Sequence, residues 1–139
     1  MSQAKPATSS SRRASPRGER GSVSIELVIL LPTLFAVMFL GMQAALFYHA
    51  RTVAIAAAQE GARAAGGENG QESDGIRAAT AFITDAGGDD VLPGARTSAI
   101  RTATTATVVV EGHSLSVIPG WTPVILQSAS APVERLTSP

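Results

Sequence analysis

Residues 27–48 read LVILLPTLFAVMFLGMQAALFY, and this uncharged run governs how the rest of the chain is interpreted. At about 1.5 Å per residue it reaches about 33 Å as an α-helix, enough to cross a hydrocarbon layer of about 30 Å. Pro32 removes a backbone hydrogen bond and Gln43 adds an amide, but neither excludes a membrane helix, where proline is tolerated. A buried helix of a soluble protein is the alternative, although its apolar run is normally shorter. The sequence predicts a transmembrane helix over residues 22–48.

The charges around this run are unevenly distributed, although the formal net charge is zero. Residues 1–21 are rich in Ser, Arg, Ala and Pro without apolar periodicity, which predicts a disordered leader. Ten acidic residues and six arginines follow it. Positive charge before a span predicts a cytoplasmic amino terminus and an external or periplasmic remainder. The basic residues of the leader are Lys5, Arg12, Arg13, Arg17 and Arg20, which face only Glu19.

Beyond the apolar run, helical spacing of small residues predicts an amphipathic extension of the same helix over residues 49–66. Because the stripe is mostly Ala and Gly, another element is able to approach the backbone closely. The pair Gly66-Gly67 provides the conformational freedom to end the helix. The stripe consists of Leu46, Ala50, Val53, Ala57, Gly61 and Ala64, with Thr52, Gln59 and Arg63 on the other side.

Residues 67–139 are predicted to form a small external α+β region. A short helix is expected between positions 68 and 88, capped by Ser73 or Asp74, with a loop over residues 85–93. Alternating β-branched and polar residues then predict about three antiparallel strands. One face of this helix is expected to carry Ile76, Ala79, Phe82 and Ile83. The strands are expected over residues 104–111, 113–118 and 124–131, with a turn at Gly112.

The junction ERGSVSIELVILLP, residues 19–32, places Gly21 five residues before Glu26 at the start of the apolar run. A carboxylate well inside a membrane helix costs on the order of 3 kcal/mol on insertion scales, and less at its end. A carboxylate in this position therefore predicts a functional role and an oppositely charged partner. Glycine leaves the backbone open to the close approach of a protease.

This junction resembles the type IV pilin-like proteins, whose basic leader ends in glycine and whose mature helix carries glutamate as its fifth residue. Counted from Ser22, Glu26 is the fifth residue. The resemblance implies cleavage by a prepilin peptidase between Gly21 and Ser22. It also implies that the Glu26 carboxylate pairs with the Ser22 amine of a neighbouring subunit, which offsets part of the cost of either charge.

The closer resemblance is to the TadE-like pseudopilins of the bacterial tight-adherence pilus machinery, over about residues 20–65. Leu27 stands where pilin-like proteins often place an aromatic residue, and no cysteine pair staples the outer region. The resemblance implies a minor pseudopilin or accessory protein for assembly of a Flp-type pilus. It rests on Arg20-Gly21, Glu26, Pro32, the small-residue helix and the stretch Gln59-Glu60-Gly61-Ala62-Arg63.

The implied partners are a prepilin peptidase, other pilin-like or Tad assembly proteins, and membrane lipid. The implied location is the cytoplasmic (inner) membrane, crossed once, with the assembled pilus as a further location. Gly41 and Ala45 form a small-xxx-small pair that is a candidate helix contact in the bilayer. Tyr48 suits the interfacial aromatic belt. Trp121 suits either an interface anchor or ordinary packing within the external region, and packing is favoured.

No cofactor, metal, nucleic acid or small-molecule substrate is expected, and the chain is predicted not to be an enzyme. Cysteine is absent, and His49 and His113 fall on different predicted elements without ligand spacing. Asp89 and Asp90 are adjacent but lack a partner base. The arginines of the leader lack the interleaved aromatics of a nucleic-acid site.

Two other interpretations of the apolar run remain open. In the first, the chain is a signal-anchored single-pass protein with an external binding domain, and its amino terminus is not cut. In the second, the run is a signal peptide removed after Ala44, Ala45 or Ala50. The run is long for that purpose, because the apolar core of a signal peptide usually spans about 7–15 residues.

Overall fold

A computed structural model describes the chain from position 19 to position 135, and its side chains from position 25. The predicted leader therefore lies outside the described residues up to position 18. The fold is α+β, as predicted, and the chain divides after Ala36 into two compact units. Its elements are the helices α1 (Glu19–Gly66) and α2 (Glu72–Asp85), a 3-10 turn (Gly88–Asp90), and the strands β1 (Arg96–Arg101), β2 (Thr105–His113) and β3 (Val124–Pro132).

In the first unit, α1 exposes large apolar side chains on all its sides. The helix continues through Pro32, and the Thr33 hydroxyl donates a hydrogen bond to the carbonyl of Ile29 at 2.8 Å. By length and composition, α1 is suited to crossing a membrane. A helix that is apolar all round avoids contact with water, and lipid provides that environment. The exposed side chains are Ile25, Leu27, Val28, Ile29, Leu30, Leu31, Leu34 and Phe35.

In the second unit, α1 buries a face of small residues against the sheet and α2, as the predicted stripe required. Ala50, Val53, Ala57 and Gly61 are buried, whereas Thr52, Gln59 and Arg63 are exposed. The alanines contact a core whose largest fully buried side chains come from the sheet and from the loop before it. This core includes Leu92, Val108, Val110 and Ile125 from the rest of the unit.

Two glycines set the distance between α1 and α2. A Cβ atom added to Gly61 would lie 2.7 Å from the carbonyl oxygen of Gly75, and one added to Gly75 would lie 2.9 Å from that of Gly61. Neither distance is compatible with a real side chain. Gly61 belongs to the Gln59–Arg63 stretch that carries the family resemblance, so its absent side chain has a direct role in packing the helices.

The cap of α2 differs from the prediction. The helix begins at Glu72 with Gln71 as its N-cap, and the Gln71 amide donates to the Asp74 carboxylate at 3.0 Å. Asp74 therefore acts from the third helical position, as in a capping box, and Ser73 has no such role. The prediction of Ser73 or Asp74 as the cap residue was wrong.

One face of α2 was predicted only in part. Ala79 and Ile83 are buried as expected, and Gly75 completes a row at a spacing of four residues. Ile76 and Phe82 are instead exposed, each to 37%. The small residue Gly75 packs against α1, in place of the larger Ile76 that was expected to do so.

The sheet is an antiparallel meander in the order β1-β2-β3. Arg96 pairs with Glu111 and Arg101 with Ala106, and on the other side of β2 His113 pairs with Val124. The predicted strands over 104–111 and 124–131 are confirmed within two residues. Strand β1 was not predicted, because its sequence RTSAIR is short and mostly polar.

The predicted strand over 113–118 and the turn at Gly112 were wrong. Gly112 lies inside β2, where a Cβ atom would be 2.7 Å from Cγ of Leu92, so glycine there permits close packing instead of a turn. Residues 114–123 form a loop between β2 and β3. Its backbone is held by a side chain of α1, described below, and not by a neighbouring strand.

Arg101 closes the carboxyl end of α1. Its Nε atom donates to the carbonyl of Ala65 at 2.8 Å and its Nη2 atom to that of Gly67 at 3.3 Å. The helix ends at Gly66 as predicted, but no glycine there adopts a positive φ. Gly66 instead permits the close approach of the Pro132 carbonyl, which lies 2.8 Å from the position of an added Cβ atom.

We expect Arg101→Met to lower the free energy of unfolding by about 1–3 kcal/mol, because carbonyls at a helix end lose charged donors. Urea unfolding of the full chain in detergent, followed by circular dichroism, measures this change. Arg96→Met is the matched control, since Arg96 is exposed on the same strand. Equal losses in both variants would contradict the capping role of Arg101.

Candidate functional site

The predicted cleavage site lies at the beginning of α1. Gly21 and Ser22 are in its first turn, and Glu26 follows with an exposed side chain among exposed apolar neighbours. Among the residues whose side chains the structure describes, Glu26 is exposed, as a pairing role with a neighbouring subunit would require.

A buried amide on α1 forms the most specific polar contact of the second unit. Gln43 is only 3% exposed, although it lies within the run that the sequence predicts to span the membrane. Its Nε2 atom donates to the Leu115 carbonyl at 3.2 Å, and its Oε1 atom accepts the Val117 amide at 2.9 Å. Ser116 Oγ lies 3.0 Å from the same oxygen. One side chain thus fixes three consecutive loop residues beside the helix.

The sequence contains one sign of this contact, which by itself predicts only an interruption of the apolar run. Gln43 is the only amide in the run over residues 27–48. A polar group in an apolar helix needs a partner, and hydrogen bonds within the folded unit supply it. The sequence did not predict the hydrogen bonds of Gln43 with this segment, because residues 113–118 were predicted to form a strand.

One aromatic residue of this loop, Trp121, lies near Tyr48 of α1. Pro119 and Gly120 form a turn in which the Trp121 amide donates to the Ile118 carbonyl at 3.3 Å, and Gly120 has a φ of 77°. Trp121 is 49% exposed, and Tyr48 on α1 is 62% exposed. Both border an apolar hollow whose other lining residues are Leu40, Gln43, Ala44 and Phe47. Trp121 is therefore not packed in the core, contrary to the prediction.

The remaining predicted residues take separate places. Gly41 and Ala45 are exposed on α1, and no atom lies within 4 Å of a Cβ added to Gly41, so this surface is open to another helix. His49 is on α1 and His113 on β2. Asp89 accepts the Gly94 amide at 3.2 Å, which gives it a role in the loop. Among the described residues, no three His, Asp or Glu side chains gather as a metal site.

Comparison with known proteins bears directly on the amino-terminal helix. Residues 21–63 match the family model described as TadE-like protein. This segment is TadE-like. The resemblance drawn from the sequence is thereby confirmed over most of its length, from the predicted cleavage site to the end of the Gln59–Arg63 stretch. No curated protein and no solved structure matches the chain.

The TadE-like segment contains the features of α1 described above. Gly21 and Glu26 lie at its start, Gln43 near its middle, and Gly61 close to its end. The segment ends before α2 and the sheet begin. The partners that Gln43 and Gly61 contact in the second unit are therefore properties of this chain beyond the matched region.

Proposed function

We propose that this chain is a minor pseudopilin or accessory protein that assists assembly of a tight-adherence pilus from the cytoplasmic membrane. The observation that carries the proposal is the TadE-like match over residues 21–63, which includes the part of α1 that is apolar and exposed on all sides in the first unit. A surface of that kind suits lipid before assembly and packing with other pilin-like helices afterwards.

Processing is the first step in this proposal. A prepilin peptidase cuts between Gly21 and Ser22, and the apolar helix remains with the mature chain. The cut leaves a cationic amine on Ser22, close in sequence to the carboxylate of Glu26. Pairing of Glu26 with the Ser22 amine of a neighbouring subunit then neutralises two charges that are costly in an apolar environment.

The chain itself performs no catalysis in this proposal. Its amino terminus lies in the cytoplasm, since the basic residues precede the span, and the second unit lies outside or in the periplasm. Gly41 and Ala45 provide an exposed small-residue surface for a helix of a partner subunit. The unit from Val37 onward holds this part of α1 in place through the contacts of Gln43.

Deletion of the gene in its native host tests the function. We expect surface pili, counted by electron microscopy, to disappear or fall sharply, and to return with the wild-type gene supplied in trans. Fractionation of the complemented cells should place the protein in the cytoplasmic membrane. Normal piliation after deletion would contradict a role in assembly and favour a signal-anchored protein with an unrelated external binding domain.

A further inference from the structure

The loop between β2 and β3 forms an uncharged apolar surface together with part of α1. Residues 114–133 contain no charged side chain. Leu115 is 38% and Trp121 49% exposed on the loop, and Tyr48 is exposed beside it on α1. Elsewhere in the described second unit, exposed charges form ion pairs, Glu60 with Arg63 on α1 and Asp74 with Arg77 on α2.

The position of this surface along α1 is fixed by Gln43. Gln43 holds three loop residues beside α1. It lies five residues before Tyr48, and Tyr48 is the last residue of the predicted span. Five residues of α-helix correspond to about 7–8 Å. If residues 22–48 cross the membrane, the loop flanks the last turns of the span, at the depth where lipid headgroups meet acyl chains.

Several polar groups of the loop backbone have hydrogen-bond partners within the protein, as a position near lipid requires. Irregular backbone is costly near lipid because its polar groups lack water, unless the protein supplies partners. Gln43 pairs with the Val117 amide and the Leu115 carbonyl, and Ser116 Oγ accepts the Ile118 amide at 3.1 Å. The segment that would enter the interface therefore has much of its hydrogen bonding satisfied internally.

We propose that residues 115–121 insert into the outer interface of the lipid bilayer, with Trp121 and Tyr48 as paired aromatic anchors. Trp and Tyr favour this region because an apolar ring carries a polar group that remains hydrated. The absence of charge from the loop removes the main cost of insertion. The inference rests on the proposed membrane span, and it assigns the loop a lipid ligand that fixes how the second unit sits on the membrane surface.

The only tryptophan of the chain is Trp121, so its fluorescence reports on the loop alone. The test uses the full chain in phosphatidylcholine vesicles that contain lipids brominated at shallow or deep acyl positions. We expect shallow bromolipids to quench Trp121 more strongly than deep ones, its emission to be blue-shifted, and aqueous iodide to quench it poorly. In Gln43→Leu, whose loop loses its contacts with α1, quenching by bromolipid should fall and quenching by iodide should rise.

A second reporter separates failure of this inference from failure of the membrane span. In Phe35→Trp combined with Trp121→Phe, the new tryptophan lies at the middle of the predicted span and should be quenched by deep bromolipids. If that reporter is quenched while Trp121 is open to iodide, the loop anchor is wrong and the span stands. Protection of Trp121 from both quenchers would also overturn the anchor, in favour of burial of Trp121 against protein, within the chain or between two copies of it. If neither position responds to bromolipid, the membrane span itself is wrong.

Discussion

Gly61→Leu is expected to destabilise the unit that begins at Val37 by about 3 kcal/mol or more. Overpacking a core typically costs about 1–3 kcal/mol, and here backbone as well as side chains would have to move. The added Cβ atom alone would lie 2.7 Å from the Gly75 carbonyl and 3.0 Å from Cβ of Ala79. Because domains are stable by only about 5–15 kcal/mol, such a loss is large. Thermal unfolding and limited proteolysis of the full chain in detergent measure it.

Gly67→Leu is the matched control for this substitution. A Cβ atom at Gly67 would meet its nearest neighbour, the carbonyl oxygen of Ala64, at an ordinary distance of 3.6 Å. We expect this variant to unfold close to the wild-type temperature. Equal unfolding temperatures for Gly61→Leu and Gly67→Leu would show that the close crossing of α1 and α2 does not determine stability.

Glu26→Gln is expected to stop assembly while leaving the protein in the membrane. The change removes the carboxylate that would pair with the Ser22 amine of a neighbour, and an unpaired charge in an apolar contact costs about 3–5 kcal/mol. At about 1.4 kcal/mol per factor of ten, incorporation or association should fall at least about a hundredfold. Co-purification with the assembled pilus machinery, normalised to the membrane-bound protein, measures this change.

Glu19→Gln provides the control, because residue 19 lies before the predicted cut and is absent from the mature chain. This substitution removes the same charge seven residues earlier. The Glu19→Gln protein should therefore assemble as the wild type does. If Glu26→Gln assembles normally, the carboxylate has no pairing role, whatever the fate of the leader. If Glu19→Gln fails like Glu26→Gln, the leader is retained and its charge matters.

The long helix could be predicted from the sequence because its signals are local. An uncharged run of 22 residues fixes the membrane candidate, and the small residues from Ala50 to Gly61 fix the buried side of its continuation. These patterns depend on spacing along one element. The structure contains one helix that is long and apolar enough to span a membrane, and it confirms the buried side, the α+β class and the end of the helix at Gly66.

The external region was less predictable because long-range contacts decide it. Apolar residues and serines alternate along residues 113–118 as in a strand, but Gln43, more than 70 residues away, holds this segment as a loop. In the same way, glycine is a residue type typical of turns, but Gly112 lies inside β2. The side chain of Leu92 leaves no room there for a Cβ atom. Neither partner is identifiable from local sequence.

The amino-terminal end of the site stays a prediction from the sequence, and its other end was not predicted. Gly21, Ser22 and Glu26 were named from a motif, and the TadE-like match begins at that motif. The exposure of Trp121 and the burial of Gln43 follow from how the loop meets α1, which no spacing rule describes. A membrane-facing loop therefore becomes visible only when the three-dimensional contacts are known.

Removal of the leader is the central claim, and amino-terminal sequencing with intact mass of the membrane-extracted protein tests it most directly. Wild type, Gly21→Arg and Gly18→Arg should be compared in cells that carry the native peptidase, because Gly18→Arg adds the same charge without altering the scissile bond. The account predicts a start at Ser22 in wild type and in Gly18→Arg, and an uncut chain in Gly21→Arg. A start at Met1 or Ser2 in all three, or a start beyond Gln43, would contradict it.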